Sequence, residues 1–85
     1  MNKKLIKEHL GKNGLKRLVE FQKYYPDGWD FGRGKSLRLE SITALEEFLM
    51  NTKSFFTQPS IFLLRDGYIE LVWEDKYDNR IEVRL

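Results

Sequence analysis

The apolar residues of this chain change their spacing at Pro59. Before it they recur every three or four residues, and after it they alternate with polar ones. The first spacing lays a stripe along a helix and the second builds one face of a strand. Helices followed by strands predict an antiparallel sheet with helices packed on one side, a two-layer α+β domain. With 85 residues, the whole chain, 1–85, is expected to form one such domain.

The strand region is the more sharply drawn. Ser60–Arg65 is a short apolar run, Asp66-Gly67 is a hairpin signal, and Tyr68–Glu74 alternates, with Ile69, Leu71 and Trp73 on one face and Tyr68, Glu70, Val72 and Glu74 on the other. Asp75-Lys76-Tyr77-Asp78-Asn79 supplies a second turn, and Arg80–Leu85 alternates again. Residues 60–85 therefore predict a three-stranded antiparallel meander. Ile69, Leu71, Trp73, Ile81, Val83 and Leu85 are assigned to the face that meets the helices.

Two helical segments precede the meander. Leu5, Ile6 and Leu10 begin a stripe in a basic lead over residues 1–25, and Gly11-Lys12-Asn13-Gly14 interrupts it. Leu15, Leu18, Val19 and Gln22 resume it with Phe21 and Tyr25 beside them, and Asn13 is a candidate cap. Pro26 ends it, because the residue before a proline is driven out of the helical region. Leu39, Ile42, Leu45 and Leu49 predict a helix over 38–51, with Ser36 or Ser41 as caps and Thr43 and Glu46 at capping-box spacing. Phe55 and Phe56 are too apolar for a solvated connection and are expected to fold onto the core.

Between the helices lies the loop Pro26–Ser36, with three of the six glycines and one of the two tryptophans. Its glycines permit positive φ, Asp27 and Asp30 suit turn hydrogen bonds, and Trp29 and Phe31 are candidates to drop into the core. Its ending, Gly34-Lys35-Ser36, resembles a phosphate-binding loop but fails the spacing. That motif places its first glycine where Trp29 stands, and it follows a strand rather than a helix.

Composition removes further classes. There is no cysteine, hence no disulfide framework, thiolate metal site or thiol nucleophile. His9 is the only histidine and has no assignable catalytic partner. Asp75, Asp78 and Asn79 lack calcium-loop spacing, and Asp27, Asp30 and Glu40 read as solvated turn carboxylates. A non-enzymatic protein without metal or cofactor is expected. No apolar run is long enough to span a bilayer, and Glu8 and His9 interrupt the basic N-terminus before a signal-type core develops. The expectation is a soluble, cytoplasmic protein with no membrane partner.

The net charge of +2 is unevenly spread: +5 over residues 1–25, −1 over 26–58 and −2 over 59–85. Lys3, Lys4, Lys7, Lys12, Lys16 and Arg17 are therefore candidate nucleic-acid contacts, although no recognised binding motif accompanies them. The alternative is a protein partner. Phe62 and Leu64, with Tyr68 and Val72, would leave the outer sheet face partly apolar, and such patches mark partner surfaces. Arg33 and Lys35, on the rim of the glycine loop, complete the candidate partner-binding set. The C-terminal strand is a further candidate, as an edge that accepts an added strand. Its row of Arg80, Glu82 and Arg84 disfavours promiscuous pairing. The oligomeric state is open, with a homodimer among the alternatives.

Gly28-Trp29-Asp30, Gly32, Gly34, the helix from Leu39 to Met50, Pro59 and Asp66-Gly67-Tyr68-Ile69-Glu70-Leu71-Val72-Trp73 resemble a set of small, mostly uncharacterised bacterial and phage proteins. These share a glycine-tryptophan-aspartate loop, a helix and a hairpin of this pattern, and the likeness covers roughly two thirds of the chain. Phe31 departs from it where a glycine is usual, and Ser36 where a proline is common. The resemblance implies fold more than chemistry. It implies an accessory protein such as an antitoxin, immunity protein or inhibitor of host defence. The partner would then be a toxin, nuclease or defence component.

Overall fold

A computed structural model describes residues 1–85. Its elements are α1 (Lys3–Tyr24), α2 (Leu39–Met50), β1 (Ser60–Leu63), β2 (Ile69–Glu74) and β3 (Arg80–Arg84). The strands form one antiparallel sheet in the order β1-β2-β3. The two-layer α+β arrangement and the meander are as the change of period predicts.

Helix α1 starts at Asn2, whose side chain accepts from the Leu5 amide at 3.1 Å, one of the donors a helix start leaves unpaired. It is broken at Gly11, where φ is 75° and ψ is 176°, a backbone state open to glycine alone. The kink lies at the expected interruption, but the helix resumes without a side-chain bond from Asn13. α1 stops before Pro26. α2 begins at Leu39 without a side-chain cap. Ser36 and Ser41 are therefore not its caps. Ser41 is buried and spans the two layers: its hydroxyl donates to the Leu85 carbonyl at 2.9 Å and accepts from the Ile69 amide at 2.8 Å.

The core joins Ile6, Leu10, Leu18 and Phe21 of α1, Leu45 and Leu49 of α2, and Ile61, Ile69 and Leu71 of the sheet. Helix α1 lies against α2 and β1, and α2 lies against β2, while neither helix backbone lies against β3. His9 is buried with them. Its Nε2 sits 2.6 Å from the Thr52 carbonyl and its Nδ1 2.9 Å from that of Leu5, so it ties α1 to the connection after α2. Phe55 also folds inward, against His9, Phe48 and Trp73.

Four side chains expected to pack onto the core are exposed instead. Phe56 does not follow Phe55 into the core but stands in solvent. Leu39 fits the α2 stripe, yet it is the first residue of the helix and is 77% exposed. Ile81 pairs with Trp73 on the helix-facing side but is 65% exposed, since no helix lies over β3. Phe31 does not drop into the core and is 95% exposed.

Candidate partner-binding site

The glycine loop is closed by its own backbone. The Gly28 amide donates to the Gly34 carbonyl, the Gly34 amide to the Trp29 carbonyl and the Gly32 amide to the Gly28 carbonyl, at 2.8, 2.6 and 2.8 Å. Trp29 folds back across Gly34 so closely that a Cβ there would overlap the indole, and its Nε1 donates to the Lys35 carbonyl at 2.6 Å. The same ring meets Tyr25 edge-on, and Tyr25 meets Phe21 in the core. Trp29 thus pins the loop as expected, though by packing within it.

This locked loop sits on the β1–β2 turn. The Lys35 amide donates to the Arg65 carbonyl at 2.7 Å, the Arg38 amide to the Gly67 carbonyl at 2.9 Å, and the Arg65 guanidinium meets the Asp30 carboxylate at 2.5 Å. The Ser36 amide donates to Asp27 Oδ1 at 2.8 Å, and the Ser36 bonds hold that carboxyl below the usual carboxylate range. The amides of residues 28, 29 and 32–36 all donate to acceptors within the protein. A phosphate cradle needs such amides converging on one anion, so this geometry does not form one.

At the tip, Asp30 and Phe31 both have φ of 58°, a left-handed state that side chains with a Cβ adopt at a cost. The loop's hydrogen bonds impose that state, and Phe31 points into solvent as a result. Arg33 is exposed beside it, and Lys35 is exposed where the loop meets the turn. Neither takes part in an ion pair.

Tyr68 lies on the same end of the sheet. Two guanidiniums lie over its ring, Arg38 at 5.1 Å and Arg84 at 5.5 Å from the centroid. Asp66 anchors both, through its carbonyl to Arg38 Nε at 2.6 Å and its carboxylate to Arg84. Tyr68 and Leu64 are half-buried.

The outer sheet face is less apolar than expected. Val72 is 3% exposed and offers no contact surface. It is a short side chain on the central strand, opposite Ser60 and Glu82, and the Glu74–Arg80–Glu82 ion pairs stand over its surroundings. Phe62 keeps 39% of its surface but lies under Arg17, whose Nε donates to the Ile61 carbonyl at 2.9 Å. Arg17 stays exposed, with its Nε directed to a backbone carbonyl of the fold. Lys3, Lys4, Lys7, Lys12 and Lys16 are exposed and outside every ion pair. The kink gathers Lys7, Lys12 and Lys16 around a shallow depression of about 600 Å³. No three His, Asp or Glu side chains converge as a metal site requires, and no helix is long and apolar enough to cross a membrane.

A second surface escaped sequence reasoning. Phe55, Phe56, Trp73 and Ile81 line a groove of about 360 Å³ at the opposite end of the sheet. Alternation placed Trp73 and Ile81 in the core, and the only available signal was the lack of a helical segment to cover β3. The sequence pattern likewise does not mark Arg38 or Arg84 as partner contacts, and marks Phe31 only weakly, by its departure from the loop pattern.

Comparison with known proteins gives no family model that matches the chain, and no curated protein or solved structure that matches it significantly.

Proposed function

We propose that this chain is a small, non-enzymatic protein-binding module that regulates or inhibits a partner protein, in the manner of an antitoxin or a phage-derived inhibitor of host defence. The observation that carries the proposal is Phe31: a whole aromatic side chain held in water, in a left-handed backbone state, by a loop that is otherwise tied down. Strained, over-determined residues of this kind concentrate at ligand clamps. The Phe31 backbone is fixed in advance, so little backbone entropy is lost on binding. Arg33 and Lys35 flank it, and the Arg38–Tyr68–Arg84 stack lies nearby. Tyrosine and arginine are the residues that dominate protein interfaces.

The test is affinity capture from the native host with the wild-type chain and Phe31→Gly. Glycine keeps the loop's backbone state, so loss of binding reports the lost ring. A stoichiometric protein captured by the wild type and lost with the variant supports the proposal. Capture of nucleic acid alone overturns it.

Lys7, Lys12 and Lys16 favour a second reading, in which an anionic strand lies at the α1 kink. Binding would then fall steeply with salt and disappear when the three lysines are neutralised together. Salt-insensitive binding, or none, ends that reading.

A further inference from the structure

The two edges of the sheet differ. On the β1 side, Arg17 of α1 reaches across the strand and occupies the Ile61 carbonyl. On the β3 side no helix intervenes. The Leu85 amide donates to the Ile69 carbonyl and the Asp75 amide to the Asn79 carbonyl, at 2.9 and 3.1 Å. An antiparallel ladder alternates, so Ile81 and Val83 also direct their amides and carbonyls to β2. Those of Arg80, Glu82 and Arg84 point outward, along an open edge. The exposed side chain of Ile81 lies beside this edge, on the face that carries the groove and Phe56.

We infer that the occupant of this edge is a second copy of the same chain, with the two β3 strands antiparallel about a two-fold axis at Ile81. The charges select the register. An axis at Glu82 would set Glu82 against Glu82 and Arg80 against Arg84, like charges directly opposed, which is unfavourable. An axis at Ile81 sets Arg80 of each copy against Glu82 of the other. Both residues point their backbone groups outward, so each such pair exchanges two hydrogen bonds. The two Ile81 side chains then meet at the closer, non-hydrogen-bonded position, about 4.5 Å between Cα atoms. An axis at Val83 also opposes unlike charges, but it brings together a half-buried residue and leaves the two grooves apart. Only the Ile81 axis joins the exposed isoleucines and brings both Phe56-lined grooves to one seam. The Arg80–Glu82 pair already present within each strand extends across it as an alternating row. The same charged row that deters an arbitrary strand complements itself in this one register. The surface lies at the far end of the sheet from Phe31, so it stands apart from the proposed partner site.

Sedimentation equilibrium of the purified full chain tests the pairing. The wild type should be dimeric at micromolar to tens-of-micromolar concentration, with Ile81→Lys raising the dissociation constant by at least about tenfold. Arg80→Glu and Glu82→Arg should each be monomeric alone and form a heterodimer when mixed, because each restores the other's opposite charge. Circular dichroism checks that both remain folded. The chain has no cysteine, so single Ile81→Cys and Val83→Cys variants report the axis directly. Ile81→Cys should form an interchain disulfide on mild oxidation and Val83→Cys should not. A chain that stays monomeric overturns the inference and leaves the edge to a strand from another protein. Self-association of Arg80→Glu alone, or crosslinking at 83 rather than 81, overturns the register.

Discussion

Trp29 and Trp73 use the same device at opposite ends of the sheet, with opposite results. Each indole donates to a loop carbonyl, Trp29 to Lys35 at 2.6 Å and Trp73 to Thr57 at 2.8 Å. Each packs edge-on against an aromatic residue, Tyr25 in one case and Phe55 in the other. Trp29 lies on a glycine and the loop shuts over it. Trp73 faces Phe55 with Phe56 beyond it, and a groove remains. Whether a tryptophan seals a loop or lines a cleft is thus decided by the bulk of what it lies against. The sealed end presents one fixed aromatic tip, and the open end presents an apolar trough beside an unpaired strand.

The sealed end is most sensitive at Gly34. Gly34→Ala puts a Cβ into the Trp29 ring, between two backbone bonds that leave it no room to shift. An overpacked site of this kind should lose about 3 kcal/mol of stability in urea unfolding. A smaller loss is expected at the open end. Trp73→Phe keeps the ring against Phe55 but removes the bond to Thr57, and should lose about 1 kcal/mol. Faster amide exchange should be confined to residues 54–57. If the two variants lost equal stability, the distinction between a sealed and an open end would fail.

Phe31→Gly should have the opposite sign. Relief of the left-handed backbone outweighs the extra freedom of glycine in the unfolded chain, giving a gain of about 0.5 kcal/mol. A loss of stability on thermal melting would show that the ring serves the fold and is not displayed for a partner.

The smallest effect is that of acid. Hydrogen bonds from Ser36 hold the Asp27 carboxyl below its ordinary range, and those of the Asn79 side chain, with the Tyr77 and Asn79 amides, do the same for Asp75. Each group is depressed in the folded chain, so each stabilises it above the unfolded value near pH 4 and ceases to do so as pH falls through the lower folded value. Both carboxyls are solvent-exposed, and the contribution is correspondingly small. Asp27→Asn should flatten the acid dependence at the sealed end and Asp75→Asn at the β2–β3 turn, as read by melting temperature between pH 2 and pH 5.

Much of the architecture is legible without coordinates. Asp66-Gly67, the alternation on either side of it, the glycine break near residue 11 and the stop at Pro26 all act through local backbone preferences, and each stands where its residues imply. The candidate site is legible only in part. Arg33 and Lys35 are exposed on the loop as expected, and Tyr68 is part of the same end. Val72 is covered by its neighbours, Phe62 is roofed by Arg17, and Phe31 is displayed rather than buried. Nothing local announces the cover over Val72 or the arginine beside Phe62, because each depends on residues distant in sequence, whereas Phe31 is displayed by the hydrogen bonds of its own loop.

The amino-acid order assigns residues to one side or the other of their element, since that follows from a period of two or of three to four. It also marks the kink of α1 at Gly11, its stop before Pro26 and the β1–β2 turn at Gly67, since glycine and proline restrict or free the backbone they belong to. Which of those sides are covered follows from how the layers pack. Ile81 and Leu71 share one face of the sheet, yet Leu71 is fully buried and Ile81 largely exposed. Periodicity assigns direction, but burial requires an opposing surface, and the helices reach β1 and β2 without covering β3.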